Sequence, residues 1–145
     1  MKVSQYMTQK LHTATQDEGV RSVFFRMRTE RIRHMPVVTG GGQLAGWLSD
    51  RDLRRPDWAD PDVDLAHAYR LDDNLLVCDV MNPRPVVVHT YDSLHKAVGL
   101  LREHHFGALP VLDKQGTLVG VLSVHDLLGA LDELLAAEHA AGKGK

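Results

Sequence analysis

Two tetrapeptides place side chains that could do chemistry together. Ser49-Asp50-Arg51-Asp52 and Ser123-Val124-His125-Asp126 each set a hydroxyl three residues ahead of a carboxylate, followed at once by an apolar residue, Leu53 or Leu127. A carboxylate on a first helical turn offers two acceptor oxygens, enough for both hydroxyls of a cis-diol. The serine hydroxyl and the free N–H groups of a helix start face the same space, and that end of a helix favours phosphate. The same spacing is also close to a capping box, which contributes about 1 kcal/mol with no ligand at all. The two roles can coexist in one pair of residues.

Other reactive side chains form no such pattern. There are nine histidines, but His104 and His105 are adjacent and diverge by about 100° on a helix. His125 lies beside Asp126, yet no HxxxH or HExxH spacing occurs, so no metal site is expected. The glycine-rich run from Thr39 to Gly46 lacks the Gly-Lys-Ser/Thr ending of a P-loop. Cys78, the only cysteine, excludes an intrachain disulfide and has no cationic neighbour in sequence to activate it. No nucleophile–base pair or paired-acid arrangement stands out, so no catalytic residue is assigned and the chain is not expected to be an enzyme.

The elements that must carry the two tetrapeptides are written twice, 74 residues apart. Val3 and Met7 match Val77 and Met81; Met35-Pro36-Val37-Val38 matches Leu109-Pro110-Val111-Leu112; Gly46-Trp47-Leu48-Ser49 matches Gly120-Val121-Leu122-Ser123. Val20, Val23, Phe24 and Met27 fall at i, i+3, i+4, i+7, one apolar face of a helix, and Leu94, Ala97, Val98 and Leu101 repeat it. A strand follows at 35–38 and 109–112, then a turn at Gly40–Gly42 or Asp113–Gly116, then a strand at 44–48 and 118–122 that ends at the serine opening a helix. An extended piece precedes each unit, at 12–14 and 85–88. The helix after Ser123 carries Leu127, Leu131, Leu134 and Leu135. One such unit has too little core to stand alone, which is a reason to expect a pair. The repeats predict one domain over 1–55, a Pro- and Asp-rich linker over 56–76 pinned by Trp58 and Tyr69, a second domain over 77–138, and a frayed tail over 139–145.

The chain has 145 residues, 43% hydrophobic and 25% charged, with a formal net charge of −2. These are ordinary globular values, with no basic excess to suggest nucleic acid or an anionic membrane as partner. No stretch approaches the ~20 apolar residues of a membrane span, and the N-terminus has no signal-like apolar run. A cytoplasmic location is the expectation.

The doubled pattern resembles a tandem cystathionine-β-synthase (CBS) domain pair. Its carriers are Met35-Pro36-Val37 with Gly46-Trp47-Leu48-Ser49-Asp50-Arg51-Asp52-Leu53, Leu109-Pro110-Val111 with Gly120-Val121-Leu122-Ser123-Val124-His125-Asp126-Leu127, and Met7-Thr8 with Met81-Asn82. The resemblance implies a mixed α/β fold of the α+β type, two helix-strand-strand-helix units packed sheet to sheet about a pseudo-two-fold axis. It also implies two clefts that bind an adenosine-containing ligand and a tendency to form homodimers. Ser49, Asp52, Ser123 and Asp126 become the ribose-binding candidates. Arg33, His34 and Arg51 become the phosphate-binding candidates, since the position before Met35-Pro36 often faces ligand phosphates in the family and Arg grips phosphate bidentately. The second repeat has Gly107, Ala108 and His125 instead, so a phosphorylated nucleotide should prefer the first set. Thr8, Leu11, Thr13, Asn82, Pro85 and Val87 become the adenine-pocket candidates, although Leu11 stands where the family often has Pro and Asn82 where Thr is usual. The implied function is a regulatory module whose ligand is AMP, ADP or ATP and whose effector is a separate protein. The alternative is a dimerising scaffold with empty clefts.

Overall fold

The computed structural model describes residues 1–53 and 75–144. The expected linker, with Trp58 and Tyr69, lies outside the described residues apart from Leu75 and Leu76, as do Arg54 and Arg55. The described elements are α1 (Val3–Tyr6), β1 (Ala14–Thr15), α2 (Val20–Thr29), β2 (His34–Val38), β3 (Leu44–Ser49), α3 (Asp50–Leu53), α4 (Val77–Val80), β4 (Val88–His89), α5 (Leu94–His104), β5 (Ala108–Leu112), β6 (Leu118–Ser123) and α6 (Val124–Lys143). The fold is mixed α/β with two three-stranded sheets, ordered β1-β2-β3 and β4-β5-β6. In each sheet the first strand is parallel to the second and the last two form an antiparallel hairpin.

The helices follow the apolar period. Val20, Val23 and Met27 are buried on α2, and Leu94, Ala97 and Leu101 on α5. Ser93 caps α5, its Oγ accepting from the Lys96 N–H at 3.1 Å. The helices stop alike: Arg31 and His105, 74 residues apart, take φ values of 54° and 56°. A left-handed residue just past the last turn lets the chain leave toward the next strand. Both hairpins turn on a glycine with positive φ, Gly42 at 80° and Gly116 at 81°.

The chain divides into two compact units that do not coincide with the sequence repeats. A central unit comprises His12–Pro85, and a terminal unit comprises Met1–Leu11 with Val86–Lys145. The N-terminal arm thus belongs with the body of the second repeat, and the arm at 75–85 with the body of the first. In the terminal unit Val3 N–H donates to Asp92 O at 2.9 Å, and Thr8 and Val121 exchange both backbone bonds at 2.8 and 3.0 Å. In the central unit the equivalent bonds run from Val77 N–H to Glu18 O at 2.9 Å and between Trp47 and Asn82 at 3.0 and 2.9 Å. Each arm so covers an exposed strand edge, on β6 or β3. The short helices α1 and α4 in these arms are additions to the expected elements. Four residues carry no visible period, and both are held by a side chain at their third position bonding back to the N-cap N–H, Gln5 to Lys2 at 2.7 Å and Asp79 to Leu76 at 2.9 Å.

Each unit has its own core, and the cores match position by position. Ala14, Val20, Val23, Met27, Met35, Val37, Leu48 and Val77 in the central unit correspond to Val88, Leu94, Ala97, Leu101, Leu109, Val111, Leu122 and Val3 in the terminal unit. Val3 and Val77 are fully buried, so each arm contributes about 1.5–3 kcal/mol through that one side chain. Beneath each parallel pair lies a carboxylate. Burial raises the Asp92 pKa, but the His89 N–H at 2.8 Å and Lys96 Nζ at 2.9 Å outweigh it and hold the carboxyl below its usual range. Burial likewise raises Glu18, and the Arg26 guanidinium and the Thr15 N–H bring it below normal.

Residues 139–143 continue α6, and the side chains from Leu131 to Gly144 are exposed. Ala136, Ala137, Ala140 and Ala141 have the highest intrinsic helix propensity, which extends the helix without tertiary support.

The glycine of the Gly-x-x-Ser motif is required by the arms. A Cβ on Gly46 would lie 2.5 Å from Met81 Sδ and 3.0 Å from Asn82 O, and one on Gly120 would lie 2.9 Å from both Met7 Sδ and Thr8 O. Gly129, inside α6, has nothing within 4 Å of an added Cβ. Gly46→Ala and Gly120→Ala should each destabilise by about 1–3 kcal/mol, whereas Gly129→Ala should stabilise by up to about 1 kcal/mol. Urea unfolding of the three variants checks this; equal effects would contradict the assigned close approach.

Candidate functional site

Both Ser-x-x-Asp tetrapeptides form reciprocal caps. Asp52 Oδ2 accepts from the Ser49 N–H at 2.9 Å, and Ser49 Oγ accepts from the Asp52 N–H at 3.2 Å. The second pair repeats this at 2.8 and 3.1 Å between Ser123 and Asp126. Each cap engages Oδ2 of its carboxylate and leaves Oδ1 outside the cap.

The outward oxygens differ between the units. Thr8 Oγ1 donates to Asp126 Oδ1 at 3.2 Å, so the N-terminal arm of the first repeat meets the acid of the second. Asn82 occupies the equivalent place in the central unit, but its Oδ1 accepts from the Arg84 N–H at 3.0 Å. Asp52 Oδ1 has no such hydroxyl donor among the described residues. A short amide that folds back on its own turn cannot do what the threonine hydroxyl does.

Cations gather in the central unit. Arg33 and Arg51 are exposed, and His34 is half-buried at the start of β2, paired in register with Ser49. The Asp50 N–H donates to Arg33 O at 2.8 Å, which fixes the start of α3 beside this strand. The His34 ring stacks on Trp47 with centroids 5.7 Å apart and planes at 23°. Burial pushes the imidazole pKa down; Asp50 raises it, Arg33 lowers it and Asp52 raises it, and the balance stays below normal. His34 is then neutral near pH 7 and offers a ring N–H or lone pair, not a full charge. In the terminal unit the position of His34 is Ala108, buried on β5.

The six adenine-pocket candidates divide between the units. Thr8, Leu11 and Val87 lie in the terminal unit, and Thr13, Asn82 and Pro85 in the central unit. Thr8 and Asn82 reach a Ser-x-x-Asp pair through their backbone bridges, while Thr13 O accepts from Arg26 Nη2 at 3.1 Å. Trp47 and Asp50 belong to the sequence motif but were not among the candidate site residues. The antiparallel register, which sets Trp47 diagonally across from His34, is what brings them to the site. No cluster of three or more metal-ligating side chains occurs among the described residues.

A double-mutant cycle separates the two units. Thr8→Val with Asp126→Ala should give a coupling of about 0.5–1.5 kcal/mol in urea unfolding, and Asn82→Ala with Asp52→Ala should give none. Equal coupling in both pairs would refute the assigned hydrogen bond.

The sequence profile of the CBS domain matches this chain twice, over residues 3–59 and 77–133. A CBS domain-containing protein of Dictyostelium discoideum is 32% identical over 92% of this chain and 92% of its own length. The crystal structure of the CBS-pair protein CBSX2 from Arabidopsis thaliana superposes with a TM-score of 0.81 at 27% identity, covering 93% of this chain and 96% of that one. Its complex with AMP gives 0.75 at 28% identity, covering 92% and 97%. The cytosolic domain of the Mg2+ channel MgtE in complex with ATP gives 0.69 at 29% identity, covering 89% of this chain and 48% of that one. Doubled motifs, a duplicated fold with two caps, and these likenesses together establish that the chain belongs to the CBS domain family.

Proposed function

We propose that this chain is a regulatory module that binds an adenosine-containing nucleotide, AMP, ADP or ATP, beside its Ser-x-x-Asp caps. The observation that carries the reading is the capped carboxylate of the central unit: Asp52 is held by its own backbone, and Arg33, His34 and Arg51 lie on the elements around it. A ribose diol on Asp52 and a phosphate beside Arg33 use groups that the fold already holds in place. Thr8 with Asp126 serves a ribose in the terminal unit, where Ala108 and Gly107 bring no charge, so that unit suits an unphosphorylated adenosine compound or a weaker ligand. Thr8, Leu11 and Val87 supply base-binding positions in the terminal unit, and Thr13, Asn82 and Pro85 in the central unit. The AMP and ATP complexes of the relatives support this ligand class.

Binding regulates only if the ligand prefers one arrangement of the protein, and the effector in this reading is a separate protein. A single exposed thiol, Cys78, fits the reducing conditions of the cytoplasm. Thermal unfolding with AMP, ADP, ATP and S-adenosylmethionine tests the reading. A ligand at 100 times its Kd should stabilise by about 2.7 kcal/mol, a shift of several degrees. The shift should be lost in Arg33→Ala and in Asp52→Asn, whose amide oxygen preserves the cap. No shift with any of the four ligands would remove the nucleotide reading.

A second reading, a homodimerising scaffold, is favoured by a groove of about 710 Å³ in the terminal unit between α5 and α6, lined by Leu94, Leu101, Phe106, Leu127 and Leu131. Leu128, Leu131, Leu134 and Leu135 are each about half exposed along α6. Arg102 lines the same groove, and an apolar face of this kind suits a two-fold contact between identical chains. Leu131→Glu should convert a dimer to a monomer in light scattering without abolishing a nucleotide shift; an unchanged mass would exclude this face.

A further inference from the structure

Among the described residues, the titratable ring of His34 lies in the proposed nucleotide site of the central unit, and Ala108 stands at the equivalent place of the terminal unit. His34 sits at the start of β2, opposite Ser49 on β3 and stacked on Trp47. Among the described residues, the charged groups that act on it are Asp50 and Asp52 on α3 and Arg33 next to it in the chain. Ser49 and Trp47 on β3 are uncharged, and so is Asn82, whose backbone bridges Trp47. The ring is thus confined among two acids, one guanidinium and an indole face. Its position in the second repeat is taken by buried Ala108.

We propose that His34 links occupancy of the central-unit site to proton uptake, so that a phosphate-bearing nucleotide is bound together with a proton on the imidazole. In the free protein, burial and Arg33 favour the neutral ring. A phosphate bound beside Arg33 offsets that repulsion and adds negative charge next to the ring, which favours the imidazolium. The sign follows: a group that binds protons better in the complex than in the free protein makes affinity rise as pH falls. One linked proton changes affinity by at most about tenfold per pH unit. Adenosine, which lacks the phosphate, recruits no proton. The site would then respond to pH as well as to nucleotide level. This inference rests on the nucleotide reading proposed above.

The test uses the full chain with Trp58→Phe, so that Trp47 is its only tryptophan. An imidazolium stacked on an indole quenches its emission, so the pH midpoint of Trp47 fluorescence reports His34. The midpoint should move up on saturation with AMP and stay in place with adenosine. Calorimetry of AMP binding between pH 6 and 8, in two buffers of different ionisation enthalpy, should show uptake of a fraction of a proton. His34→Gln should lower that uptake, and the ionisation of free AMP, common to both experiments, drops out of the difference, which reports His34 together with the bound phosphate it touches. AMP binding with an unmoved Trp47 midpoint, or with equal uptake in His34→Gln, overturns the proton link and leaves the nucleotide reading standing. Failure of AMP, ADP, ATP and adenosine alike to bind at any pH overturns the nucleotide reading and the proton link with it.

Discussion

Two backbone bridges, Thr8 with Val121 and Asn82 with Trp47, tie each arm to a strand edge that belongs to the other sequence repeat. Each bridge closes a sheet edge and seats a valine in a core, and the Thr8 bridge also brings a hydroxyl to the Ser123–Asp126 cap. The bridges require glycine at 46 and 120, because the arm's methionine and carbonyl lie where a Cβ would be. Backbone bonding and burial thus meet at one contact in each unit. The Gly-x-x-Ser spacing follows from it: the glycine admits the arm, and the serine three residues later caps the helix.

Near-identical local structure serves two different chemical surroundings. The caps agree within about 0.1 Å, and the helix stops and hairpin turns agree within a few degrees. Against that constant frame, Arg33 replaces Gly107, His34 replaces Ala108, Arg51 replaces His125 and Asn82 replaces Thr8. The helix and sheet cores exchange volume in compensating ways, Val23 against Ala97 and Ala14 against Val88. Such swaps preserve packing while the exposed positions diverge, which is how one fold acquires two unlike sites.

The capping box and the ligand site are often treated as rival explanations of the same residues. In the proposed site they would act together: the cap fixes the carboxylate rotamer through one oxygen, so a ligand would meet an acceptor whose conformational entropy has already been lost on folding. The hydroxyl of Thr8 reaches Asp126 in the terminal unit, whereas in the central unit the side chain of Asn82 turns to its own backbone. The departure from threonine at Asn82 has a definite structural consequence: it leaves the outward oxygen of Asp52 without that donor.

Periodicity and spacing alone made the repeat, the two main helices of the repeat bodies, the hairpins, the core stripes and both Ser-x-x-Asp pairs legible, because each is a local pattern within a few turns or one strand. The short helices α1 and α4 were not legible, since four residues hold no period, and the helical tail was hidden by its lack of large apolar anchors. Which arm joins which sheet was decided only in three dimensions. Both arms carry the same valine and methionine spacing, so the local bonds are equivalent for either partner and sequence offers no preference. The same holds for His34: its residue type marked it as a candidate, but its neutral state and its stack on Trp47 arise from burial and strand register, which are properties of the assembled sheet.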